Sequence, residues 1–222
     1  MRVGIFDSGV GGLASLEYFR TMMPTVDTVF YADSENAPYG TKSEEELISL
    51  VTADIGLLLS LGAERVLMAC CTASSVYDRL DEKYRAVAVP IILPTAIGAC
   101  ELSQTGRIGV LSTEATRRSG AFVRAIKRIR PDAEVISASA GELVALAEAG
   151  ACDGNLGARG YRILRDALSP FVGSNIDTLI LGCTHFGRFG ESVERILGVR
   201  TVDSAREGAR ALLRCCMSEE KI

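Results

Sequence analysis

The stretch Arg65-Val66-Leu67-Met68-Ala69-Cys70-Cys71-Thr72-Ala73-Ser74 decides the fold. Its apolar run does not alternate with polar residues, which marks a strand buried on both faces, as in a parallel sheet. It ends abruptly in small and polar residues. Upstream, Ser43-Glu44-Glu45-Glu46 supplies an N-cap and early acids, followed by Leu47, Ile48, Val51, Ile55, Leu58 and Leu59 at helical spacing. The order is therefore helix, buried strand, polar turn. The same strand-to-turn unit recurs at Arg2-Val3-Gly4-Ile5-Phe6 before Asp7-Ser8-Gly9-Val10-Gly11-Gly12, at Arg107 to Leu111 before Ser112-Thr113, and at Asp177 to Leu181 before Gly182-Cys183-Thr184. Further helices are expected over Thr116 to Arg128, Tyr161 to Leu168 and Ala205 to Cys216. Such a series specifies an α/β fold with parallel-rich sheets flanked by helices. It falls into two successive halves, 1–94 and 95–204, with Ile91-Ile92-Leu93-Pro94 as the crossing and a last helix over 205–222.

In parallel sheets ligands sit beyond the carboxyl ends of the strands, where all four turns lie. Each half places one cysteine there, Cys70 and Cys183. If the halves face each other, the two thiols meet across a shared cleft. His185, the only histidine of the chain, stands two residues past Cys183. Thiols so placed can serve as acid and base, and an imidazole nearby can take a thiol proton.

Composition narrows the partners. The 222 residues carry a net charge of −4, with Lys and Arg scattered, so no basic face for nucleic acid is expected. A small polar or anionic molecule is the expected partner. The longest apolar stretch, Ile55 to Cys71, is broken by Glu64 and Arg65, so no membrane span is expected. The N-terminus has an acid and glycines where a signal peptide would be apolar, which points to the cytoplasm. There the seven cysteines are expected as free thiols. A zinc site would need ligands that one histidine and the cysteine spacing do not supply, so no metal is expected. A pyridoxal phosphate enzyme would need a Schiff-base lysine, and Lys42, Lys83, Lys127 and Lys221 have no site built around them. No cofactor is expected. The glycines at 9, 11 and 12 match neither common phosphate-loop spacing and read as a tight turn. Nothing in the sequence sets the oligomeric state, a homodimer included.

Asp7-Ser8-Gly9-Val10-Gly11-Gly12, Ala37-Pro38-Tyr39-Gly40, Cys70-x-Thr72-Ala73-Ser74 and Gly182-Cys183-Thr184-His185, in this order, resemble the signature segments of bacterial glutamate racemase, within the cofactor-independent aspartate/glutamate racemase family. The resemblance runs from about residue 3 to about residue 210. It implies two pseudo-symmetric α/β domains, an active site in the cleft between them and a C-terminal helix that returns to the first domain. It also implies that one cysteine, as thiolate, removes the α-proton of an amino acid while the other, as thiol, protonates the opposite face. Two chemically alike residues can exchange these roles when the direction reverses.

By the same resemblance Asp7 lies near Cys70, and His185 with Glu148 near Cys183. Ser8, Tyr39, Gly40, Cys71, Thr72, Thr116, Thr184, Asp7 and His185 hold the substrate. Residue by residue, Asp7 also reads as a turn residue, Glu148 as a solvated helix-end acid and Thr116 as one of several candidate caps. Two departures stand out. The family's usual Cys-Asn-Thr is here Cys70-Cys71-Thr72, which replaces an amide by a weakly hydrogen-bonding thiol. Its usual Tyr-Pro after the histidine is Phe186-Gly187, expected to alter a wall or entrance of the site. The expected activity is racemisation of glutamate for peptidoglycan synthesis. Racemisation of aspartate or another amino acid, and a catalytically weak racemase-fold binding protein, are the alternatives.

Overall fold

The computed structural model describes residues 1–219; Lys221 and the end of the expected helix 205–222 lie outside the described residues. The chain divides into two compact units, one formed by Met1–Pro94 with the chain from Ala205 on, the other by Thr95–Ser204.

In chain order the first unit contains β1 (Arg2–Asp7), α1 (Leu13–Met22), β2 (Asp27–Ala32), α2 (Glu44–Ser60), β3 (Arg65–Met68), α3 (Cys71–Ser74), α4 (Glu82–Arg85) and β4 (Ala88–Pro90). Its sheet is parallel throughout, in the order β2-β1-β3-β4. The central strands are buried residue after residue, whereas β2 is only partly covered. The capping box expected at Ser43 is formed: Ser43 Oγ accepts from Glu46 N, and Glu46 Oε2 accepts from Ser43 N. One face of the helix behind it buries Leu47, Val51, Ile55 and Leu58 with Phe6, Val66 and Met68 of the sheet.

Of the crossing expected at Ile91 to Pro94, Ile92 to Pro94 is helical. Pro94 lies in the first turn of α5 (Ile92–Leu102), where a missing N–H costs no helix hydrogen bond. The second unit continues with β5 (Arg107–Ser112), α6 (Glu114–Ser119), α7 (Ala121–Ile129), β6 (Glu134–Ser139), α8 (Gly141–Glu148), α9 (Gly157–Leu168), β7 (Thr178–Gly182), α10 (Gly190–Leu197) and β8 (Arg200–Asp203). Its sheet, again all parallel, has the order β6-β5-β7-β8. The helix expected over Thr116 to Arg128 is two helices. Gly120, at φ +64°, takes the left-handed conformation that ends α6, and α7 restarts beyond it. Finally α11 (Ser204–Glu219) packs Ala209, Leu212 and Cys216 against Val3, Ile5 and Leu67 of the first unit's sheet. It runs past Cys216, so Cys215 and Cys216 lie inside the helix and not at its end.

In both sheets the chain moves outward from the first strand to one edge, then returns to the other side of that strand. The strand order thus reverses between β1 and β3 in one unit and between β5 and β7 in the other. Loops diverge at such a point and leave a crevice at the carboxyl ends. Asp7 ends β1 and Ser8 follows it, Cys70 follows β3, and Thr113 and Cys183 follow β5 and β7.

Candidate active site

Cys70 caps the short helix α3, its Sγ accepting from Ala73 N at 3.5 Å. Ser8 Oγ lies 3.5 Å from the same sulfur. Burial pushes the thiol up to about 11, with the Asp7 carboxylate adding to the rise and the contacts from Ala73 and Ser8 opposing it. At neutral pH this sulfur is a thiol. Asp7 is itself buried, and its Oδ2 accepts from Gly9 N and Gly12 N, each at 3.2 Å. The glycine turn therefore closes on the chain's own carboxylate. A Cβ at Gly12 would fall 2.6 Å from Asp7 Cβ, so this approach requires glycine.

Cys183 directly follows β7, as Cys70 follows β3. Its carbonyl accepts from Phe186 N at 3.0 Å, opening a 3-10 turn over Phe186–Phe189. Both phenylalanines are fully buried in the second unit's core and anchor the turn. This fold-back sets His185 Nδ1 3.6 Å from Cys183 Sγ. Glu148, the last residue of α8, brings Oε1 to 3.4 Å from His185 Nε2. That contact is within ion-pair reach but off the line of a hydrogen bond, so Nε2 is buried with no hydrogen-bond partner among the described residues. The Glu148 side chain is half exposed, while Leu143 and Ala147 of α8 share the core with Phe186. Packing of the helix thus delivers the carboxylate to the imidazole.

The other expected residues fall at the same strand ends. Thr72 and Cys71 are buried in α3, and Thr184 is buried beside Cys183. Thr113 caps α6 by accepting from Thr116 N, and its hydroxyl donates to Thr116 Oγ1 at 2.9 Å. Of these threonines Thr113 is thus the cap. Gly40 is exposed, whereas Tyr39 is fully buried and its hydroxyl lies 2.6 Å from both Asp33 Oδ2 and Asp54 Oδ2. That hydroxyl is engaged inside the first unit. Asp33 and Asp54 were not among the expected residues, although an acid at position 54, on the buried stripe 47, 51, 55, 58, is a signal the sequence contains. Phe186 is buried in the second unit's core, and a Cβ at Gly187 would fall 2.7 Å from Asp203 Oδ2, so that carboxylate fills the side-chain space.

All seven cysteines are free. Among the described residues no group of three His, Cys, Asp or Glu could hold a metal ion, and no helix is long and apolar enough to cross a membrane.

A family model described as Asp/Glu/hydantoin racemase matches residues 15–212. The chain belongs to this family. It is an amino-acid racemase, an isomerase. It is 40% identical over 212 residues to the glutamate racemase of Desulforudis audaxviator, covering 94% of this chain and 77% of that one. Among solved structures, a glutamate racemase isoform from Bacillus anthracis superposes with TM-score 0.88 at 28% identity, over 99% of this chain and 82% of that one. The glutamate racemase of Francisella tularensis, solved in complex with D-glutamate, superposes with TM-score 0.89 at 28% identity over the same shares.

Proposed function

We propose that this racemase interconverts L- and D-glutamate without cofactor or metal, with Cys70 and Cys183 acting on opposite faces of Cα and D-glutamate for peptidoglycan as its use. In one direction the thiolate of one cysteine takes the α-proton and becomes a thiol. The electron pair passes into the substrate carboxylate, and the other thiol gives its proton to the opposite face and becomes a thiolate. Reversal exchanges the two roles, which suits a reaction that must accept both enantiomers.

The Cys183–His185–Glu148 arrangement is the observation that carries this reading. An imidazole 3.6 Å from a thiol can take its proton, and a carboxylate near the far ring nitrogen favours the resulting imidazolium. For Cys70 the proton acceptor in the proposal is Asp7, because a carboxylate beside a thiolate opposes its charge and helps only by taking the proton. Ser8, Thr72, Thr116, Thr184 and the backbone of Tyr39–Gly40 are proposed to hold the two carboxylates and the amine of glutamate, with Cys71 against the bound substrate. The Francisella relative, a complex with D-glutamate, supports the choice of substrate.

The test is α-proton exchange in D2O with a panel of free L- and D-amino acids and no added cofactor. Rapid exchange and racemisation of glutamate are expected. Preference for aspartate or another amino acid would replace the substrate. Absence of exchange with every amino acid, in folded protein, would favour a binding protein.

A further inference from the structure

Asp33, Tyr39 and Asp54 form a buried chain that the proton transfer described above does not use. Tyr39 Oη is 2.6 Å from one oxygen of each carboxylate, yet a phenol has one proton to donate. Two contacts of that length need a second proton, and it must sit on a carboxyl. Asp33 is the acceptor end: Asn36 Nδ2 donates to its Oδ1 at 3.0 Å and the Tyr31 hydroxyl at 3.3 Å. Among the described residues Asp54 has only the Tyr39 hydroxyl as a hydrogen-bond partner. It is buried on α2, and the strands beneath it present Phe6, Val66 and Met68.

We propose that Asp33 and Asp54 are positioning residues for the substrate-holding Tyr39–Gly40 segment, sharing one proton through Tyr39, and that loss of this proton weakens substrate binding. The inference rests on the racemase reading for its effect on substrate. The hydrogen-bond chain itself stands apart from that reading.

The surroundings define when the proton leaves. The groups facing Asp54 are Asp33 and Tyr31 from β2 and its following loop, and Tyr39 from the turn; Glu35 acts on Tyr31, and Cys70 shares the same core. Among the described residues no cation acts on Asp54. Burial first, then the Asp33 charge, push it up to about 7, against the opposing hydrogen bond from Tyr39. Tyr39 is driven upward by burial and by both carboxylates, so it keeps its proton. Below that pH the chain runs Asp54 to Tyr39 to Asp33, with both contacts made. Above it two carboxylates compete for one phenolic proton, and one contact opens. The Asp33 backbone N–H also donates to the Asp7 carbonyl at 3.0 Å, which ties the segment to the strand that carries Asp7.

The experiment combines a direct titration with kinetics. Carboxyl carbon NMR of the full chain is expected to show Asp54 titrating near neutral pH and not near 4. In wild type, KM for glutamate should rise about tenfold between pH 6 and 8.5, with kcat changing much less. Asp54→Asn should hold the low-pH KM across the range, because an amide keeps the contact and does not titrate. Asp54→Leu should show the high-pH KM throughout. An Asp54 midpoint near 4, or a KM profile that Asp54→Asn leaves unchanged, overturns the proposal. If no amino acid is racemised, the racemase reading has failed, and the NMR midpoint with the pH dependence of unfolding still decides the shared proton. The sign there is fixed: a carboxyl raised on folding adds stability that is full below about 4 and is lost as pH rises to about 7. The Tm advantage of wild type over Asp54→Asn should therefore shrink over that window, and a constant difference counts against the proposal.

Discussion

Cys70 and Cys183 occupy matching positions, each just past a central strand at the point where its sheet's order reverses, yet their neighbours differ. Cys70 has the Ser8 hydroxyl, the backbone N–H groups of Ser8 and Ala73 and the Asp7 carboxylate, and its thiol is pushed up to about 11. Cys183 has an imidazole at 3.6 Å, with a carboxylate behind it. Topology therefore places the two sulfurs alike, and local chemistry separates them. In the proposed reaction Cys70 rests as the acid, while Cys183 has a partner able to remove its proton.

The largest expected effect comes from removing either sulfur. Cys70→Ala and Cys183→Ala should each lower kcat/KM at least about 10³-fold, as loss of an acting base or acid does. With a glutamate analogue bearing a leaving group, each should retain elimination from one enantiomer only, and the two preferences should be opposite. Equal use of both enantiomers by one variant would show that the sulfurs do not serve separate faces.

Next in size is His185→Asn, expected to cost about 10²-fold or more. The equilibrium constant between enantiomers is unity, so kcat/KM must fall equally in both directions. The asymmetry has to be read elsewhere. Iodoacetamide labelling of Cys183, followed by mass spectrometry, should slow while that of Cys70 is unchanged. Slowing at both would break the assignment of the imidazole to Cys183.

Asp7→Asn separates charge from shape. The amide can still accept from Gly9 and Gly12, but the charge that raises Cys70 is gone. Labelling of Cys70 at pH 8 should speed up by about twofold to tenfold, because a lower thiol pKa leaves more thiolate. Turnover should fall, since the proton acceptor is lost. Slower labelling would show that the Asp7 carboxylate does not raise the Cys70 thiol.

The smallest effect belongs to Cys71, buried at the start of α3. Cys71→Asn should improve kcat/KM on glutamate by up to roughly tenfold, the gain of one net hydrogen bond of about 0.5–1.5 kcal/mol. Loss of activity on a different preferred amino acid would instead mark Cys71 as a specificity residue.

These contrasts also show what a sequence exposes. The strands carrying the thiols were legible because burial on both faces writes an unbroken apolar run, as in Thr178–Gly182. Edge strands were not: Ala88–Pro90 has three residues, and Arg200–Asp203 is mostly half-covered. His185 is legible beside Cys183, two residues apart on one turn. Glu148 comes from another helix, and residue chemistry alone left it a solvated acid. The Asp33–Tyr39–Asp54 chain stayed hidden because periodicity registers apolar positions, and a single acid among them reads as an interruption. Its partners arrive through tertiary packing.

Whether two different sulfurs serve the two faces of Cα is read from solvent deuterium. L-glutamate is incubated in D2O with enzyme dialysed against chelator and treated with a carbonyl reagent, and Cα is followed by proton NMR. Two bases predict that D-glutamate carries deuterium from the first turnovers while the remaining L-glutamate stays protiated. Product that keeps its original α-proton, or activity that returns only with added cofactor or metal, would contradict the account.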